Sequence, residues 1–336
     1  MGKDNKSCLI IAEAGVNHNG SIELACQLCD AAKQAGADAV KFQTWKTENI
    51  ITHNVSQADY QIKNTGKTES QFDMLKRLEL SYHEFEKIKR YCDTIGIQFV
   101  STADDDESLE FIMSLGVPFL KVSSGDIGNI QYLRHIGSAK LPVIMSSGMS
   151  RLSEVGESID ALKEGGAKDI TLLHCTTNYP CPYEEVNLNA MLTLREAFKL
   201  PVGYSDHTLG IEVPVSAVAL GATVIEKHFT LNRTMEGPDH KASTEPKEFE
   251  VLVKSIRNIE QALGDGIKEP ALSEIDISKV VSKRIVAKKI IKKGKIIDEA
   301  DVCVKRNDSG LPAKYWDLVI GMEAKKNYQP DEGLEL

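Results

Sequence analysis

Eight short apolar runs, at 9–14, 39–43, 98–102, 119–123, 143–147, 170–175, 202–205 and 224–229, alternate with longer segments of helical spacing. The helical segments include 22–35, 82–95, 108–115, 152–163 and 213–220. Gly36, Gly96, Gly116, Gly165 and Gly221 stand where several of these should stop, because glycine accepts the left-handed conformation that ends a helix. Runs that are apolar on both faces belong to a parallel sheet covered on both sides. Eight of them in strand–helix alternation predict an α/β fold of the (β/α)8 barrel type. An open doubly wound sheet is the alternative. It asks for a phosphate loop after an early strand, and Gly15-Val16-Asn17-His18-Asn19-Gly20 is neither a dinucleotide fingerprint nor a P-loop.

The length of 336 residues suits one barrel of ~250 residues plus an appendage. The last barrel helix is expected at 246–263, so the barrel domain is placed at 1–264 and a polar linker at 265–282. The remainder, 283–336, reads as a small β-rich domain, with short fragments at 285–287, 290–291 and 292–295. It is marginal alone and should dock on a barrel. A net charge of −9 argues against a nucleic-acid partner. The start of the chain has too short an apolar run for export or membrane insertion. With seven cysteines, an odd number, this points to the cytoplasm. Cys26 and Cys29 form a CxxC without a second pair nearby, and read as packed thiols in a helix rather than a zinc or redox site.

Barrel chemistry takes place at the C-terminal ends of the strands. The strand ends supply Glu13, Asn17 and His18; Lys41 and Gln43; Ser101 and Thr102; Lys121, Ser123, Ser124 and Asp126; Ser146 and Ser147. They go on with His174, Thr176, Thr177 and Tyr179; Ser205, Asp206 and His207; and Glu226, Lys227 and His228. Lysines avoid the inside of a barrel unless an anion meets them. Lys41 and Lys121, with the hydroxyls around them, therefore suggest a phosphate or carboxylate pocket. Lys227, next to Glu226, reads as structural. His207 and His228 end consecutive strands and could share a divalent metal with positions left for water and substrate. His18 and His174 stay open as further ligands. Asp126 and Asp239 sit in Gly- or Pro-flanked loops, where turn capping and a functional role weigh equally.

The segments IIAEAGVNHNG, VKFQT, FLKVSSGD, SSGM, LLHCTTNYP, GYSDHT, IEKHFT and EGPDHKAS together resemble the sialic acid synthase family, which includes N-acetylneuraminic, legionaminic and pseudaminic acid synthases. AKKIIKKGKIID and VKRNDSGL resemble that family's antifreeze-like (SAF) cap domain. The resemblance implies condensation of phosphoenolpyruvate with N-acetylmannosamine, or a 6-deoxy diacetamido analogue, to a nine-carbon ulosonic acid. Phosphoenolpyruvate would contact Lys41, Thr102, Lys121, Ser124, Ser147, Thr177 and Tyr179; Thr177 stands where some members carry Asn. His207 and His228 would hold Mn2+ or Mg2+. Glu13, as the catalytic carboxylate, and Gln43, Asp126 and Asp239 would face the sugar or a metal-bound water. The cap of one subunit would reach over its partner's barrel in a domain-swapped homodimer, and Arg306 would meet the N-acetyl group. Ala103 and Asn307 replace prolines common in the family and bear on loop geometry.

Two rivals make different demands. A synthase acting on a phosphorylated aldose needs a second basic site, and no extra arginine cluster stands among the strand ends. A non-catalytic sugar-binding barrel or antifreeze-type protein would tolerate loss of the two lysines and two rim histidines, all of which are present.

Overall fold

A computed structural model describes residues 7–57, 62 and 69–335. The chain divides into two compact units, Met1–Gly264 and Asp265–Leu336. In the first, eight parallel strands close in sequence order: β1 (Leu9–Gly15), β2 (Ala39–Thr44), β3 (Gln98–Ala103), β4 (Leu120–Val122), β5 (Val143–Ser146), β6 (Ile170–Cys175), β7 (Val202–Asp206) and β8 (Val224–His228). All eight expected runs become strands, and only β4 is markedly shorter than its run.

The intervening helices start and stop where local chemistry dictates. The Ser21 hydroxyl accepts from the Leu24 N–H at the start of Ile22–Gln34. Ser81 and Glu84 form a capping box on Tyr82–Ile95, and Gly96 closes that helix in the left-handed region at φ 72°. The helices Gln71–Leu78, Ile130–Ser138 and Asn189–Phe198 complete the outer layer.

Strand alternation sorts side chains between two cores. Outward residues such as Ile10, Val40, Phe99 and Ile225 pack under the helices. Inward residues Ile11, Ala39, Val100, Phe119, Ile144, Leu173 and Val224 plug one end of the barrel. Gly203 takes the equivalent place on β7, where an added Cβ would lie 2.3 Å from the Val224 carbonyl oxygen. The barrel interior is thus a packed core at this end, and the polar-lined space inside it lies at the other.

In the second unit Lys283–Ala287 and Val302–Arg306 pair antiparallel around a core of Ile285, Ala287, Ile291, Ile297, Val302, Val319 and Tyr328. Ile291 forms a single bridge to Tyr328, while Lys292 and Lys295 close a turn rather than a strand. The stretch 265–282, read as a linker, carries a helix at Glu274–Val281. Its apolar residues Ile275, Ile277, Val280 and Val281 are exposed, so it lacks a buried face to fix its period. Among the described residues no helix is long and apolar enough to cross a membrane.

Candidate active site

One step beyond the apolar plug, the next inward position on each strand is Glu13, Lys41, Thr102, Lys121, Ser146, Cys175, Ser205 and Glu226. One step further come Gln43, Asp104, Ser123, Thr177, His207 and His228. These line a single cavity of about 240 Å3 that Ser124 and Tyr179 complete. A period of two along the strands therefore converts eight sequence runs into a polar-lined well with an apolar floor.

The two lysines share this well. Lys41 is 2.6 Å from a Glu13 oxygen and donates to Thr102 Oγ1 at 3.2 Å. Lys121 donates to Ser146 Oγ at 2.7 Å and to the Val122 carbonyl at 2.9 Å. Glu226 stands 3.8 Å from both ammonium groups and accepts from Ser205 Oγ at 3.0 Å. Burial works against the Lys41 ammonium, yet Glu13 and Glu226 more than offset it and its pKa is raised. For Lys121 burial prevails and the pKa falls. Burial opposes the Glu226 carboxylate as well, but Lys121 and Lys41 hold it below its ordinary range. Glu13 is pushed up to about 7, by burial first, with Lys41 opposing and Glu226 reinforcing. Gln43 donates to its other oxygen at 2.9 Å. Such a well is set to receive an anion between two ammonium groups while keeping a carboxyl that titrates near neutrality.

The rim carries the imidazoles. The His207 and His228 rings lie 5.4 Å apart at 64°, and the Tyr179 ring stands 4.1 Å from the first and 5.2 Å from the second. His207 Nδ1 lies 2.6 Å from the Thr176 carbonyl, which can only accept. The proton sits on Nδ1, and in the neutral ring Nε2 keeps its lone pair for a ligand. Burial, then the charge of His207, drives the His228 pKa well below its usual value, so this ring is neutral. Its Nδ1 is buried without a hydrogen bond, and the nearest Asp239 oxygen is 3.8 Å away. Burial opposes a proton on His207, but Cys175 and the Thr176 carbonyl outweigh it and the pKa is raised, so a divalent metal would have to displace that proton. With one nitrogen of each ring left for a ligand, the two residues fit such a metal. Among the described residues no three His, Cys, Asp or Glu side chains gather as a metal cluster.

Several residues singled out by sequence stand elsewhere. Ser147 faces away from the well and donates to the Leu173 carbonyl at 2.9 Å; its neighbour Ser146 is the inward one. Asp126 accepts from Ser123 Oγ at 2.9 Å and does not line the cavity. Asp239 adjoins His228 but stays outside the lining, with burial raising its pKa to about 6. His174 donates from Nε2 to the Val186 carbonyl at 2.7 Å, outside the cavity. His18 accepts from the Gly20 N–H, and burial lowers its pKa to about 4. Arg306 is the exposed last residue of the strand Val302–Arg306 in the second unit. Lys227 points outward to Asp206 and Thr208, not to Glu226. Cys29 is buried with its sulfur 3.5 Å from that of Cys92, and Cys26 is half-buried. Sequence reasoning missed Asp104 altogether and gave Cys175 and Glu226 no role. Counting in twos from the apolar plug would have found all three.

A family model described as the NeuB family matches residues 28–268, and a SAF domain model matches 283–335. N,N'-diacetyllegionaminic acid synthase of Campylobacter jejuni is 48% identical over 97% of this chain and 98% of its own length. The enzyme of the same name from Legionella pneumophila is 46% identical over 96% of this chain and 91% of its own. Among solved structures, the N-acetylneuraminic acid synthetase of Leptospira borgpetersenii superposes with a TM-score of 0.72 at 36% identity, over 81% of this chain and 90% of that one. With the family model covering most of the barrel and relatives matched nearly end to end, this chain belongs to the NeuB family of sialic and legionaminic acid synthases.

Proposed function

We propose that this chain condenses phosphoenolpyruvate with the open-chain form of an N-acetylated amino sugar, and that the sugar is the 6-deoxy diacetamido precursor of N,N'-diacetyllegionaminic acid. The observation that carries the reaction is the pair Lys41 and Lys121 in one well beneath His207 and His228. The choice of acceptor rests on the two diacetyllegionaminic acid synthases, at 48% and 46% identity. N-acetylmannosamine is the second acceptor to try.

In this reading the ammonium groups, with Thr102, Ser124 and Thr177, hold the phosphate and carboxylate and orient C3 toward the aldehyde carbon. Thr177 Oγ1, buried without a partner, is free to donate to such a ligand. As the C3–C bond forms, positive charge develops at C2 and water adds there. Glu13 takes the water's proton, a task suited to a carboxyl that titrates at about 7. The C2–O bond then breaks, phosphate leaves with the bonding electrons, and C2 becomes the ketone. When bound by His207 and His228, Mn2+ or Mg2+ supplies Lewis acidity for the aldehyde oxygen. Gln43, Asp126 and Asp239 are assigned to the sugar or to ordered water around it. Ser147 is left to the backbone contact it makes.

The reading includes a domain division at 1–264, 265–282 and 283–336, and a swapped homodimer in which Arg306 meets the partner's substrate. The exposed apolar residues Leu272, Ile277 and Val280 support a partner surface there. Seven free cysteines fit a cytoplasmic enzyme.

The deciding experiment is turnover in 18O-labelled water. Label is expected in the ketoacid and absent from the phosphate; label in the phosphate would mean P–O cleavage and remove this mechanism. A second expectation concerns the cap. Arg306→Ala should raise KM for the sugar about tenfold, the scale of one lost charge-assisted hydrogen bond, with KM for phosphoenolpyruvate little changed. Equal changes in both constants would end the assignment.

A further inference from the structure

Asp104 follows β3 directly, takes the next inward position, and has no part in the motifs. It lines the catalytic well and also a neighbouring cleft of about 520 Å3. Among the described residues its carboxylate makes no hydrogen bond and no close ion pair. Its neighbours in the cleft are occupied. Asp105 caps the following helix at the Ser108 N–H and accepts from Asn49 and the Lys46 N–H. Asp106 accepts from His135, and Glu107 faces the Tyr82 hydroxyl. Burial first, then the nearby Asp126 carboxylate, with Lys41 opposing, pushes the Asp104 carboxyl up to about 8 while it lacks donors; hydrogen bonds from a bound sugar would favour its ionised form.

The well alone is small for its task. At about 240 Å3 it lies below the ~300 Å3 where small-ligand pockets begin, yet two reactants must meet in it. The end of the acceptor remote from its aldehyde therefore needs adjoining room, and the cleft across Asp104 provides it. That cleft offers the amides of Asn49, Asn129 and Gln131, and among the described residues no Lys, Arg or His lines it. Hydroxyls and amide N–H groups are donors that such a surface accepts. A phosphate there would meet carboxylates without a counter-charge.

We propose that Asp104 is a specificity-determining residue: it accepts hydrogen bonds from the remote end of a neutral acetamido sugar and excludes sugars phosphorylated at that end. This rests on the synthase reading above, and deepens it. The test is phosphate-release kinetics on the full chain with phosphoenolpyruvate, Mn2+, and either a neutral acetamido sugar or its terminal phosphate ester. Asp104→Asn should raise KM for the neutral sugar about tenfold or more, with KM for phosphoenolpyruvate within about twofold. Asp104→Lys should raise kcat/KM for the phosphate ester at least about tenfold over wild type, because it adds an attracting charge to a cleft lined by carboxyl groups and, among the described residues, by no Lys, Arg or His. Unfolding midpoints of both variants check that the barrel is intact. Unchanged sugar KM in Asp104→Asn, equal shifts in both KM values, or no gain for the ester in Asp104→Lys would each overturn the proposal. A wild-type chain that releases no phosphate with any acceptor would defeat the synthase reading itself, and this inference with it.

Discussion

His207→Ala and His228→Ala are each expected to lose Mn2+ binding and to lower kcat by about a thousandfold, while the barrel stays folded. The magnitude follows from the several kcal/mol that a Lewis acid contributes where charge develops on oxygen, each ~1.4 kcal/mol being tenfold in rate. Both rings are near-buried, and neither is a structural keystone. His207 spends one nitrogen on the Thr176 carbonyl, and His228 Nδ1 makes no hydrogen bond at all. A buried nitrogen left without a partner is a cost unless a ligand uses it. Equilibrium dialysis with Mn2+ reads the binding, phosphate release reads kcat, and far-UV circular dichroism reads the fold. His174→Ala is the control, since its ring bonds the Val186 carbonyl outside the cavity and should leave Mn2+ affinity untouched. Full Mn2+ affinity in His207→Ala would refute the two-imidazole site.

The second large effect concerns stability and the residue beside the site. Lys227→Met should lower the stability of the barrel unit by about 3–5 kcal/mol, because it strands a buried carboxylate. Lys227 and Asp206 are each 1% exposed, and the ammonium also donates to the Thr208 carbonyl at 2.7 Å. Asp206 in turn accepts from the Thr208 N–H at 3.0 Å, which shapes the turn that follows β7 and presents His207. Removing both charges together, as Lys227→Met with Asp206→Leu, should recover part of the loss, since an apolar pair carries no desolvation penalty. Urea unfolding followed by a probe in the barrel unit separates this from the second unit, which need not unfold in the same transition. A loss under about 1 kcal/mol in Lys227→Met would show that water reaches the pair.

These two results depend on side chains that neighbour each other in sequence and do opposite things. Glu226, Lys227 and His228 are consecutive, and the pleat sends the first and third into the well and the second outward. The same alternation separates Ser146 from Ser147. The resemblance to a family marks Ser147, and the strand end offers Ser146 as well, but only the barrel's geometry says which hydroxyl reaches Lys121.

The sequence by itself determined the closed barrel, because eight apolar runs in strand–helix alternation have few other ways to be covered on both faces. It also determined the site's main cations and imidazoles, since Lys41, Lys121, His207 and His228 are costly to place in strands unless a ligand meets them. The tertiary structure alone decided which carboxylates answer those cations. Glu226 serves two lysines from strands far apart in the chain, and Lys227 finds Asp206 rather than its neighbour. Closure also brought Asp104 to the junction of the well and an acidic cleft, a position no local pattern reports. The reason is that periodicity fixes the face a residue takes on its own strand, while contacts across a barrel depend on how eight strands stagger when they close.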